Sequence, residues 1–143
     1  MPHTGSCVCG AVSFNISTKL TRTNACHCSM CRKWSGGVFF GVVVPPDGMT
    51  LTGEDKLTIY ASSPWAERAF CATCGSSVFY RVTADAPMQG EYHIGMGALD
   101  DASGIAFDTE YFIDLKPDVY CFAGEGRLQL TEAQVIEMFS GET

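Results

Sequence analysis

The segment ACHCSMC, residues 25–31, carries three cysteine thiols within seven residues. Thiols this close repel one another once they ionise, so the cluster indicates that a cation or an oxidant is part of the site. Seven of the eight cysteines form three such clusters, spaced C-x-C, C-x-C-x-x-C and C-x-x-C: Cys7 and Cys9; Cys26, Cys28 and Cys31; Cys71 and Cys74. A fold that unites these clusters must pair segments far apart in sequence.

The composition is that of a folded protein. Of the 143 residues, 46% are hydrophobic and 17% are charged, and a domain of this length buries roughly 70% of its unfolded surface. A packed core is therefore expected and global disorder is not. No repeat, low-complexity tract or linker interrupts the sequence, so we predict a single domain spanning residues 1–143.

The net charge narrows the class of partners. A formal charge of −7 and an isoelectric point near 4.7 argue against nucleic acid and against anionic membranes, which both need a basic face. The first ten residues, MPHTGSCVCG, lack the basic segment and the following apolar segment that are typical of a secretory signal. No apolar run approaches the length of about 18 residues that a membrane-spanning helix needs. We therefore expect a cytoplasmic protein whose thiols stay reduced.

Eight cysteines also permit four disulfides, but two observations weigh against that alternative. No export signal is visible, and the cysteines are clustered instead of spread along the chain. Sets of thiolates select zinc or iron–sulfur chemistry over hard cations. The cysteine runs typical of ferredoxins are absent, so zinc is favoured.

Counting ligands divides the cysteines into two sites. Cys9 and Cys74 are each followed by glycine, which permits a tight positive-φ turn, and the pairs Cys7/Cys9 and Cys71/Cys74 can together close a tetrahedral, structural site. The remaining three cysteines are one ligand short, which is typical of a catalytic zinc. Cys121, a histidine or a carboxylate could fill the vacancy instead, although Cys121 lies in an apolar run and is expected in the core.

The hydrophobic pattern predicts a mainly β protein. Short runs rich in β-branched and aromatic residues alternate with turn signals, and they predict strands over residues 11–17, 37–44, 56–61, 76–82, 91–99, 110–116 and 119–123. A short helix is expected over residues 29–34. A second follows the capping box Thr131–Gln134 and places Val135, Ile136 and Phe139 on one face.

The cysteine pattern resembles that of the glutathione-dependent formaldehyde-activating enzyme family, which includes centromere protein V. The resemblance covers residues 4–123 and rests on these segments: Cys7-x-Cys9-Gly10, Cys26-His27-Cys28-x-x-Cys31-Arg32-Lys33, Phe70-Cys71-x-x-Cys74-Gly75, Gly97-Ala98-Leu99-Asp100-Asp101 and Lys116-Pro117-Asp118. It implies a β-tent zinc fold of two antiparallel sheets, to which the C-terminal pattern adds a short helix.

The resemblance implies two zinc ions per chain. It assigns Cys7, Cys9, Cys71 and Cys74 to a structural zinc and Cys26, Cys28 and Cys31 to a catalytic one. The implied activity is carbon–sulfur lyase chemistry, the condensation of formaldehyde with the thiol of glutathione. Two positions depart from the family, which often has a histidine where Glu110 stands and a tryptophan where Val119 stands.

Several residues beside the ligands are candidates for a direct role. His27 is a candidate catalytic residue that could shuttle a proton or orient substrate, and Arg32 and Lys33 could contact a carboxylate of the thiol substrate. For each, a solvated or merely packed side chain is the alternative. Isolated His93 is expected at the surface or in the core.

Other functions stay open. A zinc-stabilised β module could bind proteins without turnover, and the same lyase chemistry could act on a different thiol or electrophile. A homo-oligomer is compatible with the sequence.

Overall fold

The computed structural model describes residues 3–139, and the side chain of Phe139, predicted on a helix face, lies outside the described part. Within residues 3–139 the strands form two sheets. The smaller sheet is antiparallel, in the order β1-β2-β5, with β1 His3–Ser6, β2 Ser13–Ile16 and β5 Met49–Thr52. In β2 the side chains of Phe14 and Ile16 are buried whereas Asn15 is exposed, as the alternation of strand residues requires.

The larger sheet has eight strands in the order β11-β10-β3-β4-β9-β8-β7-β6. They are β3 Arg22–Cys26, β4 Phe39–Val44, β6 Leu57–Ser63, β7 Ala66–Cys71, β8 Ser77–Val82, β9 Tyr92–Gly95, β10 Ala106–Tyr111 and β11 Leu128–Leu130. The expected two sheets are confirmed. The larger one is mixed, because β10 pairs in parallel with both β3 and β11.

The core joins the two sheets. Phe14 and Ile16 of the smaller sheet pack in one buried cluster with residues of the larger sheet: Val42, Val44, Ala69, Val78, Phe79 and Ile94. Burying a large apolar side chain stabilises a fold by about 1.5–3 kcal/mol relative to leaving it exposed. Strand β4, which the sequence predicts within residues 37–44, contributes Val42 and Val44 to this contact between the sheets.

Both predicted helices are present. Helix α1 spans Ser29–Ser35 and helix α2 spans Glu132–Phe139. The predicted capping box forms, since the backbone N–H of Gln134 donates to Thr131 Oγ1 at 3.3 Å and the backbone N–H of Thr131 donates to Gln134 Oε1 at 2.8 Å. Within residues 3–139, no helix is long and apolar enough to cross a membrane.

Between residues 91 and 123, two predicted strands extend beyond the real ones and a third prediction is wrong. The predicted strand over residues 110–116 ends at Tyr111, and a 3-10 turn follows over Ile113–Leu115. The run over residues 91–99 is a strand only through Gly95. The apolar run over residues 119–123 is not a strand, and Val119 is 85% exposed there. Cys121, expected in the core, is exposed.

Candidate metal centres and the adjoining cavity

Four cysteine thiols converge where β1 and β7 end. The sulfur atoms of Cys7, Cys9, Cys71 and Cys74 all lie within 4.8 Å of one another. Cys7 Sγ is 3.6 Å from Cys9 Sγ, and Cys9 Sγ is 3.8 Å from Cys71 Sγ. Cys7 and Cys71 are buried. The group could hold a metal ion with no ligand from outside the chain.

Tight turns place these thiols. Gly10 has φ 79° and Gly75 has φ 78°, which confirms the positive-φ turns expected after Cys9 and Cys74. Their N–H groups donate to the carbonyl oxygens of Cys7 and Cys71 at 3.2 and 2.7 Å. The sulfur of Cys7 accepts a hydrogen bond from the backbone N–H of Val12 at 3.4 Å, and not from the N–H of Gly10. Burial raises the pKa of Cys7, but hydrogen bonds from the backbone of Val12 and from the thiols of Cys9 and Cys71 outweigh it and leave the pKa below its usual value.

The second group joins β3 to α1. Cys26 is the last residue of β3, Cys28 is the N-cap of α1, and Cys31 lies in its first turn. Their sulfur atoms also lie within 4.8 Å of one another. Cys28 Sγ accepts the backbone N–H of Cys31 at 3.3 Å, which satisfies one of the free donors at the start of the helix.

The three thiols do not ionise alike. Hydrogen bonds from Cys26 and Cys31 lower the pKa of Cys28 to about 2. The hydrogen bond that Cys26 donates to Cys28 raises the pKa of Cys26. The pKa of Cys31 is lowered by Cys26 but raised more by Cys28 and by burial, to about 11. Without a cation the group thus favours one thiolate, and a divalent ion would stabilise all three.

A cavity of about 960 Å³ opens beside the second group, and all three thiols line it. Much of its wall is apolar: Met30, Phe39, Val43, Trp65, Met88, Leu115, Val135 and Ile136. Polar and charged side chains also line it: Arg22, Asn24, Arg68, Tyr80, Glu91 and His93. No cavity residue belongs to the first group of thiols. The two groups therefore differ in access, one closed by four thiols and one facing a cavity.

Most of the chain matches a known protein family. A protein-family model described as "Glutathione-dependent formaldehyde-activating enzyme" matches residues 2–115. The chain belongs to this family. The resemblance drawn from the cysteine spacing is thereby confirmed.

Individual relatives agree. A protein of Schizosaccharomyces pombe named as an uncharacterized lyase is 30% identical over 125 residues, which cover 86% of this chain and 87% of that one. A Halomonas elongata protein named "Putative glutathione-dependent formaldehyde-activating enzyme" is 38% identical over 84 residues, 52% of this chain and 53% of that one. A Phaeosphaeria nodorum protein of the same name is 35% identical over 86 residues, 59% and 45%. The chain thus spans about half the length of the latter two.

A solved structure shares the fold. The crystal structure of a Rhodobacter sphaeroides protein aligns with a TM-score of 0.56 and 22% identity, over 73% of this chain and 98% of that one.

The two positions at which the sequence departs from the family, Glu110 and Val119, lie in different environments. Glu110 is buried and its Oε1 is 2.8 Å from His27 Nε2, whereas Val119 is exposed. His27 is itself fully buried, and its other ring nitrogen is 2.8 Å from the hydroxyl of Tyr120. Because both ring nitrogens have protein partners and the ring does not line the cavity, the position of His27 supports orientation of its neighbours more than contact with substrate.

The two basic residues that the sequence predicts as substrate contacts, Arg32 and Lys33, lie outside the lining of the cavity. Arg32 Nε donates to the carbonyl of His27 at 2.9 Å, Lys33 is exposed, and neither lines the cavity. Their predicted contact with a substrate carboxylate is therefore not supported by their positions in the fold. Arg68 lines the cavity instead, and so does His93, which was expected at the surface or in the core. No spacing in the sequence marks either residue as part of a site.

Proposed function

We propose that this family member is a zinc-dependent carbon–sulfur lyase that condenses formaldehyde with the thiol of glutathione. In this reaction the sulfur forms a bond to the carbonyl carbon, the carbon–oxygen π pair moves to oxygen, and the thiol proton ends on that oxygen. The observation that carries the proposal is the set of three thiols, Cys26, Cys28 and Cys31, on the wall of a cavity large enough for a peptide-sized thiol.

The donor sets fit zinc. Tetrahedral zinc with Zn–S distances of about 2.3 Å sets sulfurs about 3.8 Å apart, close to the 3.6 and 3.8 Å between sulfurs of the first group. We assign Cys7, Cys9, Cys71 and Cys74 to a structural zinc, and Cys26, Cys28 and Cys31 to a catalytic one. A zinc ion at the second group would supply Lewis acidity, which stabilises a thiolate or polarises a carbonyl.

The residues that line the cavity would position the two substrates and exclude water from them. The apolar walls of the cavity, among them Met30, Phe39 and Trp65, would keep water from the reacting carbon. The charged side chains Arg22 and Glu91 also line the cavity and can orient a carboxylate and the ammonium of glutathione. Holding the thiol and the aldehyde together in this way replaces a bimolecular encounter by a local one. The acidic net charge supports small-molecule partners over nucleic acid. The proposed location is the cytoplasm, where the thiols of both groups would stay reduced and free to bind metal.

The test is an exchange measurement at chemical equilibrium. Glutathione and formaldehyde are mixed with the purified, zinc-loaded protein, and magnetisation-transfer NMR follows the exchange between formaldehyde and the hydroxymethyl thioether. We expect the protein to raise the exchange rate in proportion to its concentration. Cys28→Ser should abolish the increase, because it removes one of three ligands at the cavity.

Cys121→Ser is the matched control, since Cys121 is exposed and outside both thiol groups. It should leave the exchange rate unchanged. A wild-type protein that holds two zinc ions and does not alter the exchange rate would refute the proposed reaction.

A further inference from the structure

Arg68 places a positive charge beside the second thiol group. It lies in the middle of β7 and is only 3% exposed. Its Nη2 donates toward Cys31 Sγ over 3.7 Å, and the side chain lines the cavity. Because a guanidinium does not lose its proton in proteins, this charge is permanent.

The guanidinium is held by aromatic rings. Its central carbon lies 5.0 Å from the ring centroid of Trp34 and 5.1 Å from that of Tyr80. Tyr80 is the direct cross-strand neighbour of Arg68 on β8, so the two side chains project from the same face of the sheet. Arg68 Nε also donates to Ser62 Oγ at 3.3 Å. The side chain is therefore fixed in direction, with its contacts supplied by neutral groups and a thiol.

No carboxylate of the described residues 3–139 forms an ion pair with Arg68, and its Nη1 has no hydrogen-bond partner there. Three other arginines behave differently, since Arg22, Arg81 and Arg127 pair with Asp108, Glu67 and Glu110. A buried cation without a carboxylate is costly unless another negative charge offsets it. The nearest candidates for that charge are the thiolates of the second group.

The net charge of the metal and its ligands indicates which fourth ligand the second site favours. Three thiolates and one divalent ion carry a net charge of −1, and a fourth thiolate would bring the complex to −2. Such an excess disfavours an anionic fourth ligand relative to neutral water. We propose, on the basis of the metal site in the proposed function, that Arg68 is a positioning residue that makes this site prefer a thiolate over a neutral fourth ligand.

The test measures ligand binding and needs no turnover. The protein is loaded with cobalt(II), and 2-mercaptoethanol is titrated while sulfur-to-cobalt charge-transfer absorption reports the bound thiolate. Imidazole, a neutral ligand, is titrated in parallel and followed by the ligand-field bands. In Arg68→Gln we expect thiol affinity to fall roughly tenfold or more, because a neighbouring cation shifts such ionisations by about 1–3 pH units. Imidazole affinity should change little, so the ratio of the two affinities should fall.

Two more variants make the result specific. Arg68→Lys keeps the charge and should retain most of the thiol preference. Arg81→Gln is the control, because Arg81 also lies over a ring, that of Tyr92, but does not line the cavity. If Arg68→Gln fails to hold two metals, Arg68→Met replaces it as the uncharged variant, since its long side chain can fill the space between Trp34 and Tyr80, and the same fall in the ratio is expected.

The inference is overturned if Arg68→Gln weakens both ligands equally, if it changes neither, or if Arg68→Lys loses the thiol preference. A wild type that binds no metal at the second group overturns both proposals. A wild type that binds thiol with the expected preference but catalyses no exchange refutes only the lyase reaction.

Discussion

His27 stands between two proposed metal ligands, yet its ring points into the core. It contacts Glu110 Oε1 and the Tyr120 hydroxyl, and Glu110 Oε2 accepts from Arg127 Nε at 3.2 Å and from Gln129 Nε2 at 3.0 Å. The sequence could indicate that His27 faces away from the ligands, because neighbouring residues of an extended segment alternate. It could not indicate Glu110, which lies 83 residues away and meets His27 through the parallel pairing of β3 with β10.

Removing the carboxylate of Glu110 should destabilise the fold strongly. In Glu110→Ala, Arg127 loses its carboxylate and His27 loses a hydrogen-bond partner, so we expect the free energy of unfolding to fall by about 3–5 kcal/mol. Urea denaturation monitored by circular dichroism gives this value. Glu67→Ala is the control, since the Glu67–Arg81 pair is partly exposed and should contribute about 1 kcal/mol or less. Equal losses in the two variants would contradict a special role for the buried network.

The same network sets a pH dependence. Burial raises the pKa of Glu110, but hydrogen bonds from Gln129, His27 and Arg127 outweigh it and hold the pKa below its usual value. A carboxylate with a depressed pKa contributes stability that is present above the unfolded pKa of about 4.3 and is lost as the pH falls through the folded pKa. The difference in stability between the wild type and Glu110→Gln should therefore shrink below about pH 4.

At the scale of elements, alternation and β-branched content predict the apolar strand β4 and miss β7, which carries two adjacent charges. Strand β4, FFGVVV, is predicted almost to its ends. Strand β7, AERAFC, is not predicted, because Glu67 and Arg68 interrupt its apolar pattern and their partners lie on other strands. The run over residues 119–123 shows the opposite error, since an apolar composition does not supply a partner strand.

The capping box of α2 gives a prediction at this scale. Thr131→Ala removes the hydroxyl that accepts the N–H of Gln134, and we expect a loss of about 1 kcal/mol in the free energy of unfolding. Helix α2 also walls the cavity through Val135, so amide hydrogen exchange should accelerate across Glu132–Phe139. Thr131→Ser, which keeps the hydroxyl, should behave like the wild type. Unchanged exchange in Thr131→Ala would show that tertiary packing alone holds the helix.

For the whole molecule, the grouping of cysteines could be predicted and the cavity could not. Ligand counting divides seven thiols into four and three, and the structure brings together these same two groups. Part of the cavity wall is a row of side chains across three neighbouring strands. Arg68 of β7 is the cross-strand neighbour of Tyr80 of β8, and Tyr80 is the cross-strand neighbour of His93 of β9. That row follows from the register of strands distant in sequence, which no local pattern encodes.

The two thiol groups occupy different places in the architecture, and this predicts different consequences of losing them. Cys7 directly follows β1 of the smaller sheet and Cys71 ends β7 of the larger sheet, so the first group joins the two sheets. The second group lies beside the cavity and connects only β3 with α1. A metal that closes a long loop between two sheets contributes directly to folding, whereas one at a cavity wall contributes less.

Cys74→Ser should therefore unfold much of the protein or lower its thermal midpoint by roughly 10 °C or more, because several kcal/mol of metal binding are lost. Cys28→Ser should lose about one zinc per chain, while its thermal midpoint falls by only a few degrees. Metal analysis of the purified variants and thermal unfolding followed by circular dichroism measure both quantities. Equal loss of stability in the two variants would contradict the division into a structural and a catalytic site, because both groups would then contribute equally to the stability of the fold.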